Sequence, residues 1–253
     1  MRNTQYELQT PLFSREVRDL FPPICDPMTQ TSYIAPEPTR SVLLTIDMQR
    51  DFSVPGAPAY VDDTKAAVSP LQQVLDAFRT HDRPIVHVVR LYRPDGSNVD
   101  ACRRQSIEKG ERIVAPGTEG AELVDALKPT PSATLDAETL LSGTFQLLAE
   151  REWAMYKPRW GAFFQTPLEE FLEERALNTV VVAGCNFPNC PRTTIYEASE
   201  RDFRIGMIPE AVSGTYDRGL QELENIGVRL MTKAECENWL AGKEEAPVTA
   251  ALN

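Results

Sequence analysis

Short apolar runs alternate with amphipathic stretches along this chain, and the alternation predicts its elements. Ser41 to Asp47 (SVLLTID) is an apolar run closed by a carboxylate, the pattern of a strand buried on both faces. Within residues 64–80, Val68, Leu71, Val74, Leu75 and Phe78 recur at helical spacing. Pro84 to Arg90 (PIVHVVR) reads as a second strand, so residues 41–90 form a β-α-β unit with a right-handed crossover. EWAMYK (152–157), NTVVVAG (178–184), FRIGMIP (203–209) and GVRLMT (227–232) continue the strand series. TPLEEFLEER, PRTTIYEASERD, YDRGLQELEN and KAECENWL read as helices, with Thr166 as the cap of the first and Pro167 at its first position. Residues 91–145 are less regular: RPDGSN reads as a turn, VAPGTEG as a loop and GAELVDALKP as a short helix. Strands alternating with helices predict a doubly wound α/β domain of three layers, α/β/α. It spans 41–240, after a proline-rich extended arm over 1–40 and before a flexible tail over 241–253.

Ligands of such folds sit at the carboxyl ends of the strands. Three features fall there: Asp47, Lys157 and the stretch AGCNFPNCPRTT, Ala183 to Thr194. Taken singly, each has a plain structural role open to it, Asp47 as a turn cap and Lys157 as a surface lysine. The two cysteines of the stretch leave four readings: metal site, disulfide, packing and nucleophile. Zinc is disfavoured because no second ligand pair or histidine cluster accompanies them. Cys185, at a strand end, reads as packing. Cys190 precedes Pro191, which suits a helix's first turn; there, unpaired N–H groups and the helix dipole would lower a thiol pKa. One proline carries that reading, so packing stays open for Cys190 as well.

Charge and composition narrow the partners. The net charge of −11, from 26 basic and 37 acidic residues, disfavours nucleic acid and anionic membrane surfaces. No apolar run approaches the roughly 18–20 residues that span a bilayer. The N-terminus has no apolar core of a secretory signal, and the scattered Cys25, Cys102, Cys185, Cys190 and Cys236 fit free thiols in a cytoplasmic protein. The only histidines are His81 and His87, so a histidine-based nucleophile system must use one of these two.

TIDMQRDF, YKPRWGAF and VVAGCNFPNCPRTTIYEAS, in this order, resemble the isochorismatase-like cysteine hydrolases over roughly residues 40–231. The resemblance implies a six-stranded parallel sheet with helices on both sides, assembled as a homo-oligomer, dimer or tetramer. It implies Asp47, Lys157 and Cys190 as catalytic residues and no cofactor. A non-proline cis peptide is implied at Cys185–Asn186, with the backbone N–H groups of Asn186 and Cys190 as oxyanion hole. Nicotinamidases carry a metal-binding Asp-x-His cluster after the second strand; VRLYRPDGSNVDACRR lacks its histidine, so no metal is expected. Members that hydrolyse the vinyl ether of isochorismate do not use a cysteine nucleophile, so Cys190 points to the amidase branch. The form GCNFPNCPR resembles streptothricin-hydrolase-like members. The implied function is cysteine-dependent hydrolysis of a small amide, lactam or carbamoyl C–N bond through a thioester. Ester or vinyl-ether hydrolysis on the same fold, and a noncatalytic binding or assembly domain, are the alternatives. Phe52, Trp160, Phe163, Phe187 and Asn189 flank the motifs as substrate-binding candidates, with Tyr92, Arg93 and Asp95 beyond the second strand. Packing is the competing role for the aromatic residues.

Overall fold

The expected strands form in the computed structural model, which describes residues 33–243. They are Ser41–Ile46 (β1), Ile85–Val89 (β2), Glu152–Tyr156 (β4), Thr179–Gly184 (β5), Arg204–Val212 (β6) and Arg229–Leu230 (β7), joined by an additional strand, Gln146–Ala149 (β3). The sheet order is β3-β4-β2-β1-β5-β6-β7. Six strands run parallel, and β3 pairs antiparallel with β4 at the edge. The six-stranded expectation is therefore corrected to seven. QLLA is only partly buried and breaks its register with β4, so it shows neither a continuous apolar run nor a clean alternation. By contrast β1, β2 and β5 are buried at every residue, which requires both faces of the sheet to be covered.

The helices are Arg50–Ser53 (α1), Thr64–Thr80 (α2), Ala101–Glu108 (α3), Ala137–Leu141 (α4), Leu168–Glu174 (α5), Cys190–Ser199 (α6), Asp217–Glu224 (α7) and Lys233–Leu240 (α8). Helix α2 buries Leu71, Val74, Leu75 and Phe78, the stripe its spacing predicts. Pro167 takes the cap position of α5, and Thr166 Oγ1 accepts from the Leu168 N–H at 3.4 Å. The helix expected in GAELVDALKP is replaced by two 3-10 turns, Glu119–Ala121 and Asp125–Leu127. Besides the bonds within those turns, its backbone pairs with the segment that follows β1. Arg50 N donates to Glu122 O at 2.8 Å, and Val124 N to Met48 O at 3.1 Å.

One histidine sits inside the sheet. His87 of β2 is fully buried, with Thr45 Oγ1 2.7 Å from Nδ1 and Glu152 Oε1 2.7 Å from Nε2. Arg79 closes the chain onto Glu152 at 2.8 Å, so the buried polar atoms are satisfied. Most of the expected N-terminal arm, Cys25 included, and the tail from residue 244 lie outside the described residues. Residues 36 and 37 are fastened to the domain: Trp239 Nε1 donates to Pro36 O at 3.2 Å, and Glu37 N to Thr179 Oγ1 at 3.0 Å. Among the described residues no helix is long and apolar enough to cross a membrane.

Candidate active site

Counted along the parallel strands alone, the sheet order is 3-2-1-4-5-6, and its direction of winding reverses between β1 and β5. A crevice opens at such a switch point, outside the carboxyl ends of the two strands. Asp47 stands at that end of β1 with φ 53°, a left-handed conformation that aspartate tolerates better than most residues. Its N–H still donates to Val88 O at 2.9 Å, so the turn starts directly from the sheet. Lys157 N bonds Val89 O at 3.0 Å, which brings the end of β4 beside it. The fully buried Lys157 Nζ donates to Asp47 Oδ2 at 2.8 Å and to Arg159 O at 3.3 Å. The other carboxylate oxygen, Oδ1, is buried without a hydrogen-bond partner among the described residues.

The loop from β5 to α6 carries Cys190 to the same place. Gly184 turns the chain at φ 120°, a conformation open mainly to glycine. Cys185 N then bonds Ile46 O at 2.8 Å, and Phe187 N bonds Ser213 O at 2.7 Å. Among the described residues every peptide bond is trans, Cys185–Asn186 included. The expected cis bond is thus corrected: the glycine dihedral makes the bend, and a trans bond avoids the roughly 3–4 kcal/mol of a non-proline cis bond. Asn189 N folds back onto Asn186 O at 3.1 Å. The N–H groups of Asn186 and Cys190 have no hydrogen-bond partner among the described residues. Cys185 Sγ accepts from Thr64 Oγ1 at 3.4 Å, and Thr64 also reaches Ser213 Oγ at 3.1 Å.

Cys190 begins α6, with Pro191 second, but its thiol is not acidified. Burial pushes it up to about 11 and the Asp47 carboxylate adds to this, while Lys157 and Arg90 pull the other way. Where the helix-start reading expects a lowered thiol pKa, the thiol beside this carboxylate is held up instead. Burial is the largest cause, and one proline does not reveal it.

Asp47 and Cys190 open onto a cavity of about 120 Å³. Four of the expected contact residues line it: Phe52, Tyr92, Trp160 and Asn189. Phe163 and Phe187 do not. Phe163 is buried against Phe203, ring centroids 5.6 Å apart, and Phe187 stands edge-on to Tyr216 at 5.3 Å. Both are core packing. Arg93 and Asp95 are exposed away from the cavity. Arg90 and Arg103 line it instead. Burial works against the charge of Arg90, but the Asp47 and Asp100 carboxylates hold it protonated. Arg90 ends the second predicted strand, so the carboxyl-end rule that singles out Asp47 also marks it. Arg103 lies in the irregular stretch and has no such signal. Among the described residues no three His, Cys, Asp or Glu side chains cluster as metal ligands.

The sequence profile of the isochorismatase domain matches residues 41–235, which hold Asp47, Lys157 and Cys190. The chain belongs to the isochorismatase family. A probable inactive nicotinamidase of Arabidopsis thaliana is 30% identical over 79% of this chain and 96% of its own. The maleamate amidohydrolase of Pseudomonas putida is 28% identical over 68% of this chain and 72% of its own. An isochorismatase family protein of Desulfovibrio vulgaris has the same fold, with a TM-score of 0.68 at 28% identity over 80% of this chain and 98% of its own. This isochorismatase-family chain therefore has amidohydrolases among its relatives.

Proposed function

We propose that the protein is a cysteine-dependent hydrolase of a C–N bond in a small amide, lactam or carbamoyl compound. One observation carries the reading. Asp47 is held by Lys157 on Oδ2 and keeps Oδ1 unpaired, at a cavity it shares with the neutral thiol of Cys190. Such a carboxylate accepts the thiol proton as sulfur attacks the carbonyl carbon, so no resting thiolate is needed. Lys157 keeps Asp47 oriented throughout. The unpaired N–H groups of Asn186 and Cys190 suit the oxyanion that forms. As the C–N bond breaks, Asp47 returns the proton to the leaving nitrogen, and a thioester remains on Cys190. Water, deprotonated by Asp47, attacks that thioester; the acid departs and the thiol is restored. The sum is amide plus water to acid plus amine. Free thiols at all four described cysteines fit a cytoplasmic setting for this chemistry.

The name of the Arabidopsis relative favours a second reading, a noncatalytic domain on the same fold. Mass spectrometry separates the two. The intact protein, quenched during reaction with a panel of amides, lactams and carbamoyl compounds, carries an acyl group on Cys190. Cys190→Ala lowers turnover by about a thousandfold or more with its circular dichroism unchanged. Absence of both adduct and turnover across the panel supports the noncatalytic domain. Turnover that survives Cys190→Ala overturns the cysteine mechanism. Alkylation is a poorer test, because Cys102 is exposed and reacts before the buried Cys190.

A further inference from the structure

A second hollow adjoins the cavity that Asp47 and Cys190 share. It is a groove of about 500 Å³, and Cys102 and Trp160 line both spaces. Helix α6 joins them as well. Asn189 and Cys190 line the cavity, while Thr193 and Glu197, one and two turns further on, line the groove. Residues at that spacing share one helix face, and two turns rise about 11 Å. The groove therefore runs outward from Cys190 along α6. Trp160 and Phe164 line it, and both are large apolar side chains left exposed. The charged side chains of the groove are already engaged. Asp100 Oδ2 pairs with Arg90 Nη1 at 2.7 Å and accepts the Tyr92 hydroxyl at 2.7 Å. Arg159 Nη1 donates to Pro158 O at 2.6 Å and to Asn98 O at 3.3 Å. Glu197 Oε2 accepts the Phe163 N–H at 2.9 Å. What remains for a ligand is mainly apolar surface, that of Trp160, Phe164, Ala101 and Cys102.

Grouped exposed apolar side chains mark a ligand groove or an interface. Continuity and size decide between them here. A cavity of about 150 Å³ holds a benzene-sized molecule. The inner cavity, at about 120 Å³, is smaller and takes only a head group the size of acetamide or urea. Any longer ligand must extend past Trp160 and Cys102, and so into the groove. There each methylene strengthens binding, by about fourfold when fully buried. We propose that the groove binds an uncharged hydrocarbon tail of the substrate, whose small amide or carbamoyl head lies in the cavity beside Cys190. The tail leaves the head from its nitrogen or from its acyl carbon. That the amide is then cleaved rests on the hydrolase reading; the groove does not.

The test uses the full-length Cys190→Ala protein, in which binding is read without turnover. Two series that share the acetamide head are titrated by calorimetry. One runs through N-propylacetamide and N-hexylacetamide, the other through the primary amides butanamide and heptanamide. In at least one series the longest member binds tenfold or more tighter than acetamide, and the series that gains shows which side of the amide carries the tail. Adding Phe164→Ala weakens this gain severalfold, Phe164→Ala with Trp160→Ala abolishes it, and Phe164→Leu keeps most of it. Phe164 and Trp160 are exposed, so the core is spared, and thermal melting confirms that each variant is folded. Flat affinity along both series overturns the proposal, as does failure of every member to bind. A gain that survives the double substitution overturns it too. So does tighter binding of 6-acetamidohexanoate than of N-hexylacetamide, which would give the groove to Arg159 and an anion. Flat affinity together with a dimer that Phe164→Ala dissociates, read by light scattering, would make the groove an interface between copies instead. Tails that bind in the groove of a protein whose wild type turns over no amide would sink the hydrolase reading and leave the groove standing. Wild-type turnover with flat binding along both series would do the reverse.

Discussion

At the scale of single residues the site rests on one buried ion pair. Lys157 is fully buried and Asp47 nearly so, and each gives the other its nearest opposite charge. Such a pair adds little over an apolar pair of like volume, but breaking it strands a charge at a cost of about 3–5 kcal/mol. Asp47→Asn should lower the urea unfolding free energy by about that amount. Asp47→Asn with Lys157→Met should recover most of the loss, to within about 1–2 kcal/mol of wild type, and stay inactive. Equal stability of the single and double variants would show that the pair is not what holds the site. The three residues that meet here are legible in the sequence because each follows a buried apolar run, where a parallel sheet ends. The state of Cys190 is not. Its thiol is set by burial beneath residues distant in the chain, which no local pattern records. Arg103 is hidden for a related reason: the stretch that carries it has no period, so nothing before the fold shows which wall it joins.

At the scale of elements the junction from β5 to α6 decides whether sulfur and carboxylate meet. Ile46 and Gly184 are register partners, one residue before Asp47 on one strand and at the mouth of the nucleophile loop on the other. A Cβ on Gly184 would lie 2.3 Å from Ile46 O and 2.6 Å from Ile46 N, both backbone atoms of a central strand. Neither atom moves without disturbing the ladder. Gly184→Ala should therefore cost about 2–4 kcal/mol and reduce turnover of the folded fraction. Gly117→Ala is the control, because Gly117 has φ 75° with nothing within 4 Å of its added Cβ. It should cost only the backbone strain, about 1 kcal/mol. Equal losses in a thermal melt would mean that the contact with Ile46 carries no energy. The run NTVVVAG announces β5 and its closing glycine together, whereas QLLA announces nothing, since an edge strand with mixed exposure needs no pattern of its own.

At the scale of the molecule, the strands' carboxyl ends hold the site while their opposite ends are tied down by residues 34–40. Ser41 pairs with Thr179 at the start of β1 and β5, five residues before Ile46 and Gly184 respectively. Strands rise about 3.3 Å per residue, so the two ends are some 17 Å apart. At the start of the strands, Trp239 is buried and depends on Pro36 O for its indole N–H. The buried Ser41 donates its hydroxyl to Pro38 O at 2.8 Å, and Thr179 Oγ1 receives the N–H of Glu37. Ile34 fills the space over Gly227, where its Cδ1 would lie 3.0 Å from an added Cβ. A chain that begins at Ser41 loses all of these, and the buried groups of Trp239 and Ser41 lose partners that each stabilise by about 1 kcal/mol and cost more when left unmet. It should be less stable to urea than a chain that begins at Ile34 by about 2–4 kcal/mol. Turnover per folded molecule should stay unchanged at low temperature, because nothing removed approaches Asp47 or Cys190. Equal unfolding midpoints would show that water replaces these contacts without loss. A fall in turnover of the folded protein would show instead that the two ends of the sheet are coupled.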